Sequence, residues 1–359
     1  MEGKKERNYS LDIIRILATF FVVSVHFFLH TGFYAQPVEG KRMFVMVCMR
    51  TLFMTCIPLF LMLTGYLMNK KKLSLKYFKG IVKTLTIYVL ASIACLIFKS
   101  IYLDHPLNLA HILKSILLFQ GANYSWYIEL YIGLFILIPF LNLIYNGIET
   151  KKQKEISLIG LILLVTIPPM INKHLLSVES LANIQVPTWT QLYPIMYYYI
   201  GAYLCEYKVQ IKKLFSYITV LSIFLLSSIY YYKVNYGGLF AWGDYQDSCA
   251  FPIMLISIMI FVIFSNINLS KAKERTLKIL NHFSNLTLGA YLMSYIFDEM
   301  IYTELRNVVP DMLNRFYYYP LTVLASFVGA FVASEILNLI YKLICAIVSK
   351  IRKIILKCE

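Results

Sequence analysis

The sequence predicts an all-α polytopic membrane protein with about ten transmembrane helices and one short re-entrant or surface helix. Three observations carry that expectation: the bulk composition, a succession of apolar runs of spanning length, and a cation bias that alternates from loop to loop. Of 359 residues, 59% are hydrophobic and 16% aromatic, and the mean hydropathy is +0.65, too apolar for a soluble domain or a disordered chain. Apolar runs fall at roughly 8–32, 43–68, 80–102, 125–147, 156–172, 192–206, 214–234, 248–268, 284–303 and 317–345. The run at 192–206 is shorter than the ~17 residues a spanning helix needs, so the count can shift by one.

Lysine and arginine concentrate in every second loop, from Lys4, Lys5 and Arg7 through Lys70 to Lys72, Lys151 to Lys154, Lys208 and Lys271, and on to Lys350 and Arg352. The intervening loops hold few cations and several acids, among them Glu39, Asp104, Glu179, Asp244, Asp247 and Asp311. Short cytoplasmic loops carry the positive charge, so both termini are expected on the cytoplasmic side of the cell membrane. The same distribution accounts for the net charge of +15 and excludes nucleic acid as a partner. Seven cysteines, odd in number, mostly inside apolar runs and without paired ligand spacing, indicate neither a disulfide framework nor a metal site. The basic start resembles a signal peptide, but Arg15 interrupts the run behind it and no small-residue cleavage site follows, so an uncleaved first span is expected. With no internal repeat or linker, residues 1–359 read as a single membrane domain.

The first span carries Asp12, Arg15, His26 and His30. A charge at mid-bilayer costs at least ~2.5 kcal/mol, so such residues read as functional. At ~100° per residue, His26 returns to within ~20° of the face that bears Arg15, with Asp12, Thr19 and His30 within ~60° of that stripe. Ile13, Leu17, Phe20, Phe21 and Val25 fall on the other faces, so the polar stripe faces protein or water. A rise of ~1.5 Å per residue sets Arg15 near one membrane surface and His26 ~16 Å deeper, a line suited to a ligand that enters at one surface and reacts further in.

The second span carries Arg50 about a quarter of the way down, and Pro58 is expected to kink it. Between spans three and four, residues 104–124 hold the apolar stretch Ile112 to Phe119, broken by Lys114 and too short to cross twice, which is read as the re-entrant or surface helix outside. The fourth span opens with Tyr124-Ser125-Trp126-Tyr127-Ile128-Glu129. Glu129 lies at a depth similar to that of Arg50, and a buried acid and base at matching depth are expected to pair across an outer cavity.

These motifs, taken in order, resemble the acyltransferase family 3 membrane proteins. Leu11-Asp12-Ile13-Ile14-Arg15 with His26 is similar to the family's first-helix pattern, and Ile57-Pro58-Leu59-Phe60 with Thr64-Gly65-Tyr66-Leu67 to its second-helix pattern. Ser125-Trp126-Tyr127-Ile128 with Gly133, Leu134 and Pro139 resembles a later helix, and Leu288-Gly289-Ala290-Tyr291-Leu292 the motif near the end. The resemblance spans residues 11 to 295. It implies transfer of an acyl group from cytoplasmic acyl-CoA to glycans and other acceptors outside. The chain departs from the pattern in three places. Lys79 and Lys83, four apart, stand where the family often has two arginines three apart; Ser294 replaces a usual histidine; and Tyr124 stands where a histidine often precedes the tryptophan. The serine-nucleophile domain fused to some members is not expected.

Acyl transfer to a hydroxyl needs a general base, anion grips for the coenzyme and a dry, oriented channel. His26 is the expected base, with an acyl-histidine intermediate as a variant. Arg15, Lys79 and Lys83 are expected to hold the coenzyme phosphates, with Asp12 orienting Arg15. Arg50, Trp126, Tyr127, Glu129, His30 and Trp189 are expected around the acceptor. The expected partners are the lipid bilayer, an acyl-CoA donor and a glycan acceptor, with a second copy of the chain left open and no metal. Acetyl-CoA is the expected donor, with succinyl or another acyl group as the alternative. The opposing class is an exporter or flippase of a glycan or lipid-linked precursor, which intramembrane charges and a midplane cavity suit equally.

Overall fold

The computed structural model describes residues 7–175, 184–210 and 213–358. Each of the ten apolar runs forms helix. They are α1 (Ser10–His30), the pair α2 (Gly40–Phe53) and α3 (Cys56–Met68), and the pair α4 (Leu75–Lys79) and α5 (Val82–Tyr102). After the short α6 (Leu109–Leu117) come α7 (Trp126–Gly147), α8 (Lys151–Leu175), α9 (Tyr193–Tyr207), α10 (Lys213–Val234), α11 (Phe251–Ser265) and α12 (Glu274–Val308). The one-turn α13 (Met312–Arg315) leads into α14 (Tyr319–Cys358). Among the described residues, eight of these rods are long and apolar enough to cross a membrane. The other two predicted runs are α9, only 15 residues long, and α12, whose 35 residues begin on a charged turn at Glu274. Lys4, Lys5, Glu179 and Lys212 lie outside the described residues.

Proline 58 lacks an amide donor and its ring collides with the carbonyl four residues back, at Met54. The second span accordingly breaks at Met54–Thr55, and the Thr55 hydroxyl donates to the Leu52 carbonyl across the break at 2.7 Å. α6 is the expected surface helix. The Asn108 side chain caps it by accepting from the His111 amide at 2.8 Å, and Leu109, Leu113 and Leu117 point outward.

α1 is buried almost all round and runs through the centre of the bundle, against α3, α11, α12 and α14. Its stripe of polar residues faces neighbouring helices, as expected, and its apolar side is covered too: Phe20 meets Phe53 and Phe327 edge-on. Leucine and isoleucine on the outer faces of α5, α8, α10 and α14 are exposed, as a lipid-facing shell requires. Among the described residues no strand forms, and two isolated bridges, Pro37 with Leu239 and Val38 with Tyr236, tie the loop after α1 to the loop after α10.

α3 and α9 cross with their backbones in contact. A Cβ on Gly65 would sit 1.9 Å from the Tyr198 carbonyl oxygen, and one on Gly201 would sit 2.0 Å from that of Met62. Without a hydrophobic force between helices in lipid, such close approach of small residues is what holds a crossing together. Gly65→Ala and Gly201→Ala are each expected to lower stability by roughly 1–3 kcal/mol, as overpacking does. A lower thermal unfolding midpoint in detergent would report it. Gly133→Ala, where a Cβ would meet nothing within 4 Å, should leave the midpoint unchanged or raised. Equal midpoints for all three would refute the crossing.

Candidate functional site

His26 on α1 faces Asp298 on α12. Its Nδ1 lies 2.9 Å from Asp298 Oδ2, and the same oxygen accepts from the Tyr124 hydroxyl at 3.0 Å. The other carboxylate oxygen accepts from the Ser326 hydroxyl on α14 at 2.6 Å. Asp298 has no exposed surface, and these three donors stand where water would otherwise bond its oxygens. With Nδ1–H donated to the carboxylate, Nε2 is left as the basic nitrogen, and it has no partner among the described residues. The Tyr124 ring lies against the imidazole, centroids 3.8 Å apart. Because the Tyr124 proton goes to Asp298, its oxygen accepts from His30 Nε2 at 2.6 Å. The Tyr291 hydroxyl donates to the Tyr124 carbonyl, and Arg306 donates to that of His30.

At the other end of α1, Asp12 is the hub. Arg7 grips it with two nitrogens, at 3.0 and 2.9 Å. Ser284 on α12 donates to it at 2.6 Å, and Arg15 Nη1 reaches both Ser284, at 2.7 Å, and Asp12, at 3.3 Å. The expected orientation of Arg15 by Asp12 is therefore present, with Arg7 and Ser284 as partners that the sequence reading missed.

Three cavities run along this helix. An inner vestibule of about 1040 Å³ is walled by Arg7, Arg15, Lys70, Lys71 and Lys208 among others. A mainly apolar slot of about 230 Å³ shares Arg15 and Leu67 with it. An outer cavity of about 360 Å³ contains His26 and shares Val22, Ile57 and Tyr291 with the slot. The septum is built from three elements: Val22 sits one turn below His26, Ile57 just past the break in the second span, and Tyr291 on α12.

The structure moves several expected residues. His26 lines the outer cavity and not the slot, and Val22, Ile57 and Tyr291 form the wall that the two share. Arg50 and Glu129 do not pair. Arg50 is fully buried; it donates to the Gln246 carbonyl at 2.7 Å and to the Tyr34 hydroxyl at 3.1 Å, and Phe240 lies 4.7 Å away. Glu129 is exposed on another face of α7, because equal depth does not fix rotation about a helix axis. Trp126 joins the outer cavity, whereas Tyr127 is one residue round and belongs to the slot. Lys83 shares a side cavity of about 280 Å³ with Arg15 and Ser284, while Lys79 is exposed at the end of α4 and Trp189 is exposed beside the outer cavity.

Asp298 is the buried partner of His26 that the sequence reading passed over. Its signal was an acid inside an apolar run, the same kind that singled out His26. No group of three or more His, Cys, Asp or Glu side chains able to hold a metal occurs among the described residues. Cys48, Cys56, Cys95, Cys205, Cys249 and Cys345 are free.

A family model described as an acyltransferase domain matches residues 8–335. No curated protein and no solved structure matches the chain.

The vestibule and the outer cavity open at opposite ends of α1. In a background without native cysteines, Asp244→Cys should react with an impermeant maleimide from one side of a sealed vesicle and Lys71→Cys only from the other. Labelling of both from the same side would refute this arrangement.

Proposed function

The chain belongs to the acyltransferase family whose model covers residues 8–335, and from that premise we propose that it moves an acyl group from cytoplasmic acyl-CoA to a hydroxyl of a cell-surface or lipid-linked glycan. Acetyl is the group proposed first, with the protein in the cell membrane and both termini cytoplasmic. One observation carries the reading: the row of adjacent cavities with shared walls, cationic at one end and lined at the other by His26, which Asp298 holds from behind.

The vestibule suits a polyphosphate. Arg7, Arg15, Lys70, Lys71 and Lys208 present five cations against two acids on the same wall, Asp12, shared by Arg7 and Arg15, and Glu206, engaged by Lys154 at 2.8 Å. Guanidinium groups grip phosphate oxygens in pairs, and lysines add point charge. The slot beyond, between Leu63, Leu67, Ile128 and Leu288, suits the narrow pantetheine arm and keeps water from the thioester. An acyl group carried to the septum is then next to the outer cavity.

In the outer cavity, His26 Nε2 takes the proton of the acceptor hydroxyl as its oxygen attacks the thioester carbonyl carbon. The C–S bond breaks, the thiolate leaves and takes the proton back from the imidazolium, and the products are an ester and a free thiol. Asp298 holds the tautomer that makes Nε2 basic and stabilises the imidazolium while it exists. Asp298 is thus a positioning residue, and Tyr124 and Ser326 hold it in turn.

Labelled acetyl-CoA supplied to the purified protein with a glycan acceptor should give thiol release and labelled ester. His26→Ala should abolish both while coenzyme binding persists; full transfer in that variant would remove the mechanism. Arg15→Ala should raise KM for the donor at least tenfold, only partly restored by Arg15→Lys because the fork geometry is lost. Asp298→Asn should lower kcat by roughly 10²-fold, the lower range for general-base catalysis, with the donor KM little changed.

A further inference from the structure

We propose that the outer cavity selects a neutral or amine-bearing sugar over an acidic one, with Asp244 and Asp247 as the specificity-determining residues and the stacked rings of Tyr34 and Trp242 as the platform. The proposal rests on the acyl-transfer reading and names the acceptor class for it.

Among the described residues, Asp244 and Asp247 are the only carboxylates on the wall of the outer cavity, and no described lysine or arginine shares it. A carboxylate accepts charge-assisted hydrogen bonds from sugar hydroxyls and pairs with an ammonium group. A uronate or phosphate would instead bring a third negative charge into a partly enclosed space, where the repulsion is poorly screened. The charge on this wall is opposite in sign to that of the vestibule at the other end of α1, so the two cavities sort ligands by charge.

Tyr34 and Trp242 stack with centroids 4.3 Å apart and 26° between planes, and both border the cavity, with Trp126 also on its wall. Flat apolar ring faces suit the C–H face of a pyranose, and the volume of about 360 Å³ is in the lower range for small-ligand pockets. His26, only 8% exposed, brings its unpartnered Nε2 to this same space. The cavity is therefore built around a group waiting for a hydrogen-bond donor.

The acids are held in place. Gln246, between them in the chain, is fully buried; its carbonyl accepts from Arg50, and its side-chain oxygen accepts from Asn235 at 3.0 Å. Asp247 accepts from the Ser248 amide at 2.7 Å, and the Ser248 carbonyl accepts from Tyr197 at 2.6 Å. Arg50 also donates to the Tyr34 hydroxyl, so one buried guanidinium ties the acidic loop to the aromatic platform. Arg50 is a positioning residue that touches no acceptor.

The test uses the full chain in nanodiscs with acetyl-CoA and three matched acceptors: methyl glucoside, methyl glucosaminide and methyl glucuronide. Ester formation and thiol release are both followed. The glucoside and glucosaminide should be acetylated with kcat/KM at least tenfold above the glucuronide. The double variant Asp244→Asn, Asp247→Asn should narrow that ratio at least tenfold with the acetyl-CoA KM unchanged. Arg50→Lys should raise the acceptor KM and leave the donor KM alone. Equal use of the glucuronide by the unaltered protein, or an unmoved ratio in the double variant, overturns the proposal. Absence of thiol release with every acceptor overturns the transfer reading itself, and the acceptor class with it.

Discussion

A carboxylate shut away from water must be neutralised or surrounded by donors, and Asp298 is the place where this protein meets that constraint. Its two oxygens accept hydrogen bonds from His26, Tyr124 and Ser326, which belong to α1, the approach to α7, and α14. Removing one partner from such a group leaves buried charge uncompensated, a cost of several kcal/mol. Four parts of the chain must therefore converge before the site exists, and once they do the imidazole has one tautomer and one direction. The chemistry and the packing of α12 against α1 and α14 share these contacts.

The second polar cluster solves a different problem. Near the inner end of α1, Asp12 is shared by Arg7, Arg15 and Ser284. One acid among two guanidinium groups leaves net positive charge, so the cluster keeps capacity for an anion while Arg15 stays oriented. Lys70, Lys71 and Lys208 add to it from the ends of α3 and α9. Between the clusters the wall is apolar and narrow, which keeps opposite charges on the two sides from sharing water.

What sets the distance between those clusters is backbone geometry. The break before Pro58 lets α3 change direction, so that Ile57 comes to the septum and Gly65 lies against Tyr198 of α9. A continuous helix through Met54 would shift these positions together. The loops that roof the outer cavity are secured separately, by the bridges at Val38 and by Arg50 beneath them.

Periodicity and composition alone determined the helical class, the run of spans, the break at Pro58 and the polar stripe of α1, because each depends on residues near one another in the chain or on the cost of lipid exposure. They also placed Arg15 and His26 at two depths of one face, since the helix repeat fixes that directly. The partners were decided only by the tertiary structure. Depth along a helix follows from residue count, but rotation about its axis follows from which neighbour it packs on, and no local pattern encodes that. Thus Arg50 and Glu129, equal in depth, face different neighbours, and Tyr127 parts from Trp126. Asp298 meets His26 across 272 positions of chain, a pairing settled by the packing of α12 against α1.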